Sequence, residues 1–540
     1  MRRKVLFAAG LSLPFLVALP ASEARADQTL TFDGNVPTDG PDHFFIPFQL
    51  PAGIQEIEVL HDDQSDANIL DFGMNDTAGY RGWGGGTPED AIIGVNAASR
   101  AYVPGPLPVG TWNVIVGKAK IVVSPATYHV VITLRTTPTL APQTDRKAYV
   151  PAQPLSNDRR YYACDFHVHD RESTDAIPTL EQNIQVAESV GLDAIEASDH
   201  NTITQLDYFS DLQAKHPHLL IIPGIEWTTY HGHGNAIGAT TWVDHKIGQP
   251  GITVDSQVDL IRAQTLAGSA AHALFAINHP ALDVGNLCIG CSWAYPVLAA
   301  SKVDAMEIES GGYRQAGFVF TTPALKLWDQ LLDTGAHVAA IGGSDDHRGG
   351  DDSGQFQSPI GNPTTYVVAD NLSVAAIVEG VRNGRTVVKM QDPSDPMIDF
   401  SSSIAPVGDT VSARSTVLQA TVTGGHRDGV TVQLVQNGVP LTEVPVTSDP
   451  FSLVMNTTAP LTGEDRWRVE VLVNEHERTV TSHLFVRYDA QGPDGVAEAQ
   501  ATVQGGGCAL SSRRSPASPW LWVGVTAVIA AAGRRRRRQK

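Results

Sequence analysis

The stretch Cys164–Asp170, CDFHVHD, closes an aromatic, strand-like run and sets two imidazoles on either side of one Val. In a strand, residues i and i+2 point to the same side. His167 and His169 therefore face one way and can meet one cation. An H-x-H alone is met by chance or at a solvated strand edge. What decides its meaning, and the class of the domain around it, is what the neighbouring segments end in.

From Tyr161 onward the pattern alternates. Strand-like runs (ACDFHVH, LDAIEASDHN, LLIIPGIEW, HALFAINHP, VDAMEIES, HVAAIGGSDDH, TTYVVAD, TVVKM) are interleaved with segments of helical periodicity (TLEQNIQVAESVG, DSQVDLIRAQTLAGSA, TPALKLWDQLLDTG, SVAAIVEGVRNG). Such β-α alternation predicts an α/β domain built on a parallel sheet or a barrel. In α/β barrels function collects at the C-terminal ends of the strands. Those ends carry Asp199 and His200, Glu226, His279, and Asp345, Asp346 and His347, with His231 and His233 in the HGHGNAIG that follows Glu226. Twelve of the 18 His lie between residues 161 and 347, so the imidazoles are concentrated where the carboxylates are.

Mixed nitrogen and oxygen donors suit zinc, manganese or iron. There are too many for one tetrahedral ion. A bridging carboxylate among several His argues for two or three divalent ions, which acidify water and clamp the group it attacks, and that is hydrolytic chemistry. His216, His218, His245 and His337 fall in helix-end or surface contexts and are read as structural; His272 is left open. No G-x-S-x-G elbow appears, and NEHERTV lacks the second His of a zincin motif.

The ordered series H-x-H, D-H, G-x-E, G-H, N-H-P and D-x-H resembles that of the PHP (polymerase and histidinol phosphatase) superfamily. GHGNAIG and NPTTYVVAD…VRNGRTVV resemble its carbaryl-hydrolase-like branch. The resemblance covers residues 158–395 and implies a distorted (β/α)7 barrel. It implies that His167, His169, Glu226 and Asp345 hold one ion, and that Glu226 bridges to a second held with His233 and His279. A third would take His200, His347 and an acidic residue after the H-x-H. That residue is Asp175, one position later than the family's common spacing, with Glu172 as the alternative. Asp165, Asn278, Glu307 and Asp346 would orient these ligands, and His231 and Arg348 would assist Glu226 as acid or oxyanion partner. The implied activity is hydrolysis of a small-molecule carboxyl or carbamoyl ester; the wider superfamily favours phosphoesters. The competing class is a surface binding or adhesion protein with structural metals.

The flanks read differently. Residues 1–26 carry Arg2, Arg3 and Lys4, an apolar run and Ala24-Arg25-Ala26, as a secretory signal peptide does. Residues 27–140 show short β-branched and aromatic runs between Gly, Pro and Asn clusters, predicting a β-sandwich accessory domain. Residues 141–157 read as linker. Residues 396–487 predict an immunoglobulin-like β domain, with QNGV as a hairpin turn, and 488–507 a second linker. The end, 508–540, holds Cys508, the apolar stretch Trp520–Ala532 and Arg534–Arg538. It resembles the Cys-containing sorting tails of myxobacterial exported proteins; a plain C-terminal anchor is the alternative. Together the ends predict export and a membrane link through the tail only.

Between the two ends stand 26 basic and 57 acidic residues, a formal charge of −31. A body so acidic repels nucleic acid and anionic lipid. Cys288-x-x-Cys291 lacks the second pair of a zinc site and is read as a local disulfide, with Cys164 a buried thiol.

Overall fold

Strand His43–Leu50 buries Ile46, Phe48 and Leu50 and turns the residues between them outward, the period-2 pattern of a sheet with one covered face. The computed structural model describes residues 27–285, 288–295, 300–311, 318–351 and 358–494. These belong to one compact unit. The signal-peptide and C-terminal-tail expectations, and most of the 488–507 linker, fall outside them. No helix among the described residues is long and apolar enough to cross a membrane.

Two antiparallel four-stranded sheets occupy the N-terminal region. One orders Gln28–Asn35, Thr127–Arg135, Glu56–Asp62 and Ala91–Gly94; the other His43–Leu50, Gly110–Lys120, Ile69–Asn75 and Tyr80–Gly85. Ile57, Val130 and Ile132 of the first meet Phe48, Trp112 and Val114 of the second in a shared core. The following segment has no strand or helix but is fixed by hydrogen bonds. Thr139 and Leu140 donate backbone N–H to Glu56, Lys147 to the Asp207 carbonyl, and Leu155 to the Leu372 carbonyl. The connector thus straps the sandwich to the central region.

The central residues build two sheets. One runs Leu220–Pro223, Ala194–Ala197, Arg160–Val168, Thr364–Ala369, Thr386–Lys389, with the first three parallel. The other runs Glu226–Thr229, Gly232–Ile237, Leu274–Ile277, Ala305–Ser310, Ala339–Gly343. Short parallel bridges, Val168 with Asp346 and His200 with Glu226, join them at two edges. Helices Leu180–Ser189, Leu206–Lys215, Val254–Ala263, Phe318–Leu332 and Val374–Arg382 flank the sheets; Thr179 and Thr253 start two of them with capping boxes.

Two local readings change. LLIIPGIEW is not one strand: it breaks at Gly224, and Glu226 begins a strand of the other sheet. A Cβ on Gly224 would lie 1.8 Å from Glu196 Oε1, so only glycine admits the Glu196 carboxylate at that bend. His233 does not close a strand; it sits inside Gly232–Ile237, the return arm of an antiparallel hairpin with Glu226–Thr229. The C-terminal residues also share a sheet with the centre. Thr386–Lys389, which would otherwise be an edge, pairs with His476–Thr481. The change of domain at 395/396 in the sequence is therefore not a break in the sheet.

The sandwich and the central region meet through aromatic rings. His43 stacks on Tyr230 with ring centroids 5.2 Å apart and lies 5.3 Å from His245 and 5.5 Å from Trp83. Both ring nitrogens of His43 are buried without hydrogen-bond partners. Burial, then Lys246 and Lys118, lower its pKa to about 3. The unfolded chain would take up this proton near pH 6.5 while the native one does not, so this contribution to stability is lost as pH falls from about 6.5 toward 3. His43→Phe should flatten that dependence. At pH 4.5 it should recover about 2–3 kcal/mol relative to the parent protein's own loss from pH 7. Equal pH slopes of Tm for the two proteins would show that His43 is not held neutral.

Candidate metal centre

Strand Arg160–Val168 is buried along its last seven residues, and His167 and His169 at its end are fully buried. Asp165, one turn of the pleat earlier, fixes this end. Its Oδ1 accepts the N–H of His167 (3.2 Å) and of Ser344 (2.9 Å), and its Oδ2 that of Gly361 (2.8 Å). Three chain segments are thus set in register by one carboxylate.

Glu226 stands at the centre. Its Oε1 lies 3.4 Å from His167 Nε2, 3.3 Å from His233 Nδ1 and 3.1 Å from His279 Nε2; its Oε2 lies 2.6 Å from His200 Nδ1 and 3.7 Å from His169 Nε2. Asp345 Oδ1 adds contacts of 3.3 Å to His167 and 3.1 Å to His169. Asp175 Oδ2 lies 3.4 Å from His200 Nε2 and 3.5 Å from His347 Nε2. The sets His167–His169–Asp345, His167–Glu226–His279 and His169–His200–His347 each bring three donor atoms within 4.8 Å of one another. These residues could hold divalent cations.

The donor chemistry fits that use. His167 Nε2, His169 Nε2 and His233 Nδ1 are buried with no hydrogen-bond partner although each faces a carboxylate. Such orphaned nitrogens are costly unless something else satisfies them. The outer ring nitrogens are engaged: His167 Nδ1 by Glu307 (2.9 Å), His169 Nδ1 by Ser173 (3.0 Å), His279 Nδ1 by the Cys291 carbonyl (3.1 Å), His233 Nε2 by the Ile289 carbonyl (3.2 Å). This is how ligating imidazoles are aimed. Asn278 donates to Glu226 Oε1 (3.1 Å), and Glu307 also accepts the His279 N–H (2.7 Å). His279 and Asp345 have left-handed φ values of 26° and 56°, backbone strain of the kind found where surroundings over-determine a site.

The electrostatics agree. Burial opposes ionisation of Glu226, but His167, His200 and His233 outweigh it and hold its pKa well below the usual range. Burial, then His347 and His200, depress His169 to about 3, and burial lowers His233 despite Glu226. Both are neutral, as a ligand must be. For His167, His200, His279 and His347 burial opposes the charge, but the facing carboxylates outweigh it and raise the pKa. These four would give up a proton on taking a cation.

The structure separates the other candidates. Asp175 reaches the His200–His347 pair; Glu172 turns away, accepting the Ala101 N–H (3.1 Å) and the Thr204 hydroxyl (2.6 Å). His231 is half exposed, pairs with Asp42 at 3.1 Å and lies edge-on to Tyr295, apart from the cluster. Arg348 is exposed. The Asp346 carboxylate accepts the backbone N–H of Arg348, Gly349 and Gly350 and shapes the loop behind His347, while its backbone carbonyl accepts the His169 N–H at 3.0 Å. Cys288 and Cys291 form a disulfide whose loop supplies the carbonyls to His233 and His279; its sulfurs are not thiolates.

Three supporting residues escaped sequence reasoning. Asn235 accepts from Asn278 (2.8 Å) and donates to the Phe166 carbonyl (2.6 Å); Thr228 lies 2.7 Å from His200 Nδ1; Ser173 holds His169. Asn235 and Thr228 stand two residues after His233 and Glu226, so strand periodicity could have found them. Ser173 lies in an irregular loop and gives no such signal.

Gly343 lies under this site. A Cβ there would be 2.2 Å from His167 Cβ and 2.9 Å from its backbone N. Gly343→Ala should cost about 1–3 kcal/mol or more by overpacking and weaken cation binding by displacing His167. An unchanged Tm and unchanged metal content would show that the two strands can separate freely there.

No family model matches the chain, and no curated protein matches it. Among solved structures, one from Bifidobacterium adolescentis named "putative metal-dependent phosphoesterase" aligns at 14% identity over 36% of this chain and 92% of its own, with a TM-score of 0.22. An engineered protein aligns at 14% identity over 35% and 42%, TM-score 0.14. A "putative beta-galactosidase" from Bacteroides fragilis aligns at 10% identity over 85% and 75%, TM-score 0.15. None of these superpositions is close enough to assign a fold or an activity to this chain.

Proposed function

We propose that the protein is an exported, multinuclear metal-dependent hydrolase of small-molecule carboxyl, carbamoyl or phosphoric esters, on a distorted (β/α)7 barrel of PHP type. The observation that carries it is the position of Glu226, one buried carboxylate 2.6–3.7 Å from five imidazoles. The two edge bridges between the central sheets support the barrel reading.

Divalent cations at this site would supply Lewis acidity and make water acidic enough to attack at neutral pH. The chain's own residues do the rest. Glu226 faces His167, His233 and His279 with one oxygen and His200 and His169 with the other, so it fixes the spacing of the imidazoles around it. Glu307 and Asn278 hold His167, His279 and Glu226 against rotation. Asp175, the exposed member, places the His200–His347 end toward solvent, where a substrate can enter.

Full-length protein loaded with zinc, manganese or iron should contain at least two ions per chain and turn over nitrophenyl acetate, a nitrophenyl carbamate or nitrophenyl phosphate. Preference for the first two places it with carboxyl and carbamoyl esters; preference for the third, with phosphoesters. Metal-replete protein inert to all three and to a wider ester panel would leave the structural-metal, adhesion reading in its place.

A further inference from the structure

Asp175 is carried by residues 170–179, which link strand Arg160–Val168 to helix Leu180–Ser189 and form neither strand nor helix. A ligand on an irregular loop is useful only if the loop is held in the productive geometry. Here part of the holding comes from the central region. Asp199 Oδ1 accepts the N–H groups of Asp170 (2.8 Å) and Ser173 (3.1 Å). The rest comes from the N-terminal sandwich. The Arg100 guanidinium donates to three carbonyls of the loop, Arg171 (3.3 Å), Thr174 (2.6 Å) and Ala176 (2.9 Å), which bracket Asp175. Glu89 grips the same guanidinium by two bonds of 2.8 Å. Thr174 donates its hydroxyl to the Gly84 carbonyl (2.6 Å), and Ala101 donates its N–H to Glu172.

We infer that the sandwich is a working part of the metal centre and that Arg100 is the positioning residue for Asp175, and so for the cation position formed with His200 and His347. The planar fork of five N–H donors is what the geometry uses. Three carbonyls converge on it from one loop while Glu89 fixes it on the sandwich side. A lysine ammonium could keep the ion pair with Glu89 but could not span the three carbonyls. Glu172, three residues before Asp175, is spent on the same interface, which explains why the later carboxylate and not the earlier one reaches the imidazoles.

This inference rests on the metal-centre reading above, and the test separates the two. Full-length metal-free protein is titrated with Co²⁺ and followed by its visible absorption. Asp175→Asn should weaken one equivalent and leave the others. Arg100→Ala should weaken the same equivalent by about 10–100-fold, the range for residues that orient ligands. Arg100→Lys should behave like Arg100→Ala, although a merely structural cation beside Glu89 would be restored by lysine. The double variant Arg100→Ala/Asp175→Asn should bind no worse than Asp175→Asn alone, since both act on one contact chain. A parent protein that binds no cobalt overturns the metal-centre reading itself. A parent that binds it, with Arg100→Ala or Arg100→Lys titrating like the parent, or with Arg100→Ala losing every equivalent alike, overturns the role of the sandwich alone. So does Asp175→Asn leaving uptake unchanged.

Discussion

Glu226→Gln should reduce turnover by on the order of 10³-fold and lower the metal content of the purified protein. Removing a residue that merely orients a ligand typically costs about 10–100-fold, and Glu226 is more than that. Its two oxygens face His167, His233 and His279 on one side and His200 and His169 on the other. Glutamine keeps the volume but removes the charge, and one of its two heteroatoms becomes a donor pointed at imidazole nitrogens that need an acceptor or a cation. Donor sets on both sides should loosen together. Metal analysis and kcat/KM measured on the same sample check this. A variant with full activity and the parent's metal content would show that Glu226 is not the shared ligand.

Metal removal should lower Tm by about 10 °C or more at pH 8.5, and by less at pH 6. A ligand bound at a thousand times its dissociation constant stabilises by about 4 kcal/mol, worth roughly 2–4 °C per kcal/mol in a domain of about 150–250 residues. The sign of the pH dependence follows from His167. Burial opposes its charge, but Glu307, Asp345 and Glu226 outweigh that and raise its pKa well above the ordinary imidazole value when no cation is present. The metal-free native state then holds a proton that the unfolded chain releases near pH 6.5, so this stabilisation is lost as pH rises through the raised pKa. Cation binding runs the other way, since it needs the imidazole deprotonated. The gap between loaded and metal-free protein therefore widens with pH. Thermal unfolding with and without chelator at the two pH values measures it. Coincident curves at both would remove the case for cations in the native state.

Much of the centre was legible in the chain because its donors recur at short, ordered spacings. His167 and His169 share a face by strand geometry alone, and the D-H, G-x-E, N-H-P and D-x-H segments follow in order. The structure gathers His200, Glu226, His233, His279, Asp345 and His347 around them. The supporting residues Asp165, Asn278 and Glu307 were legible because they stand in or next to the strand ends that the motifs mark. Asp165 lies two residues before His167, Asn278 directly before His279 and Glu307 within Ala305–Ser310, whereas Asn235 and Thr228, two residues after His233 and Glu226, were missed. His231 and Arg348 were chosen for their chemistry beside a motif, but proximity in sequence did not carry His231 into the cluster, because the hairpin turns it outward to Asp42.

What the sequence by itself determined was the set of donors and their type, since H-x-H spacing, strand-end carboxylates and a body with a charge of −31 are properties of order and composition. Only the tertiary structure decided between Asp175 and Glu172. Both lie in one irregular loop with no periodicity to aim them, and the choice was made by Ala101, Thr204 and Arg100, which are 71, 32 and 71 to 76 residues away along the chain from the groups they bind. A side chain on a strand is aimed by its own backbone; one on a loop is aimed by whatever the fold packs against it, and here that includes a sandwich that begins more than a hundred residues earlier.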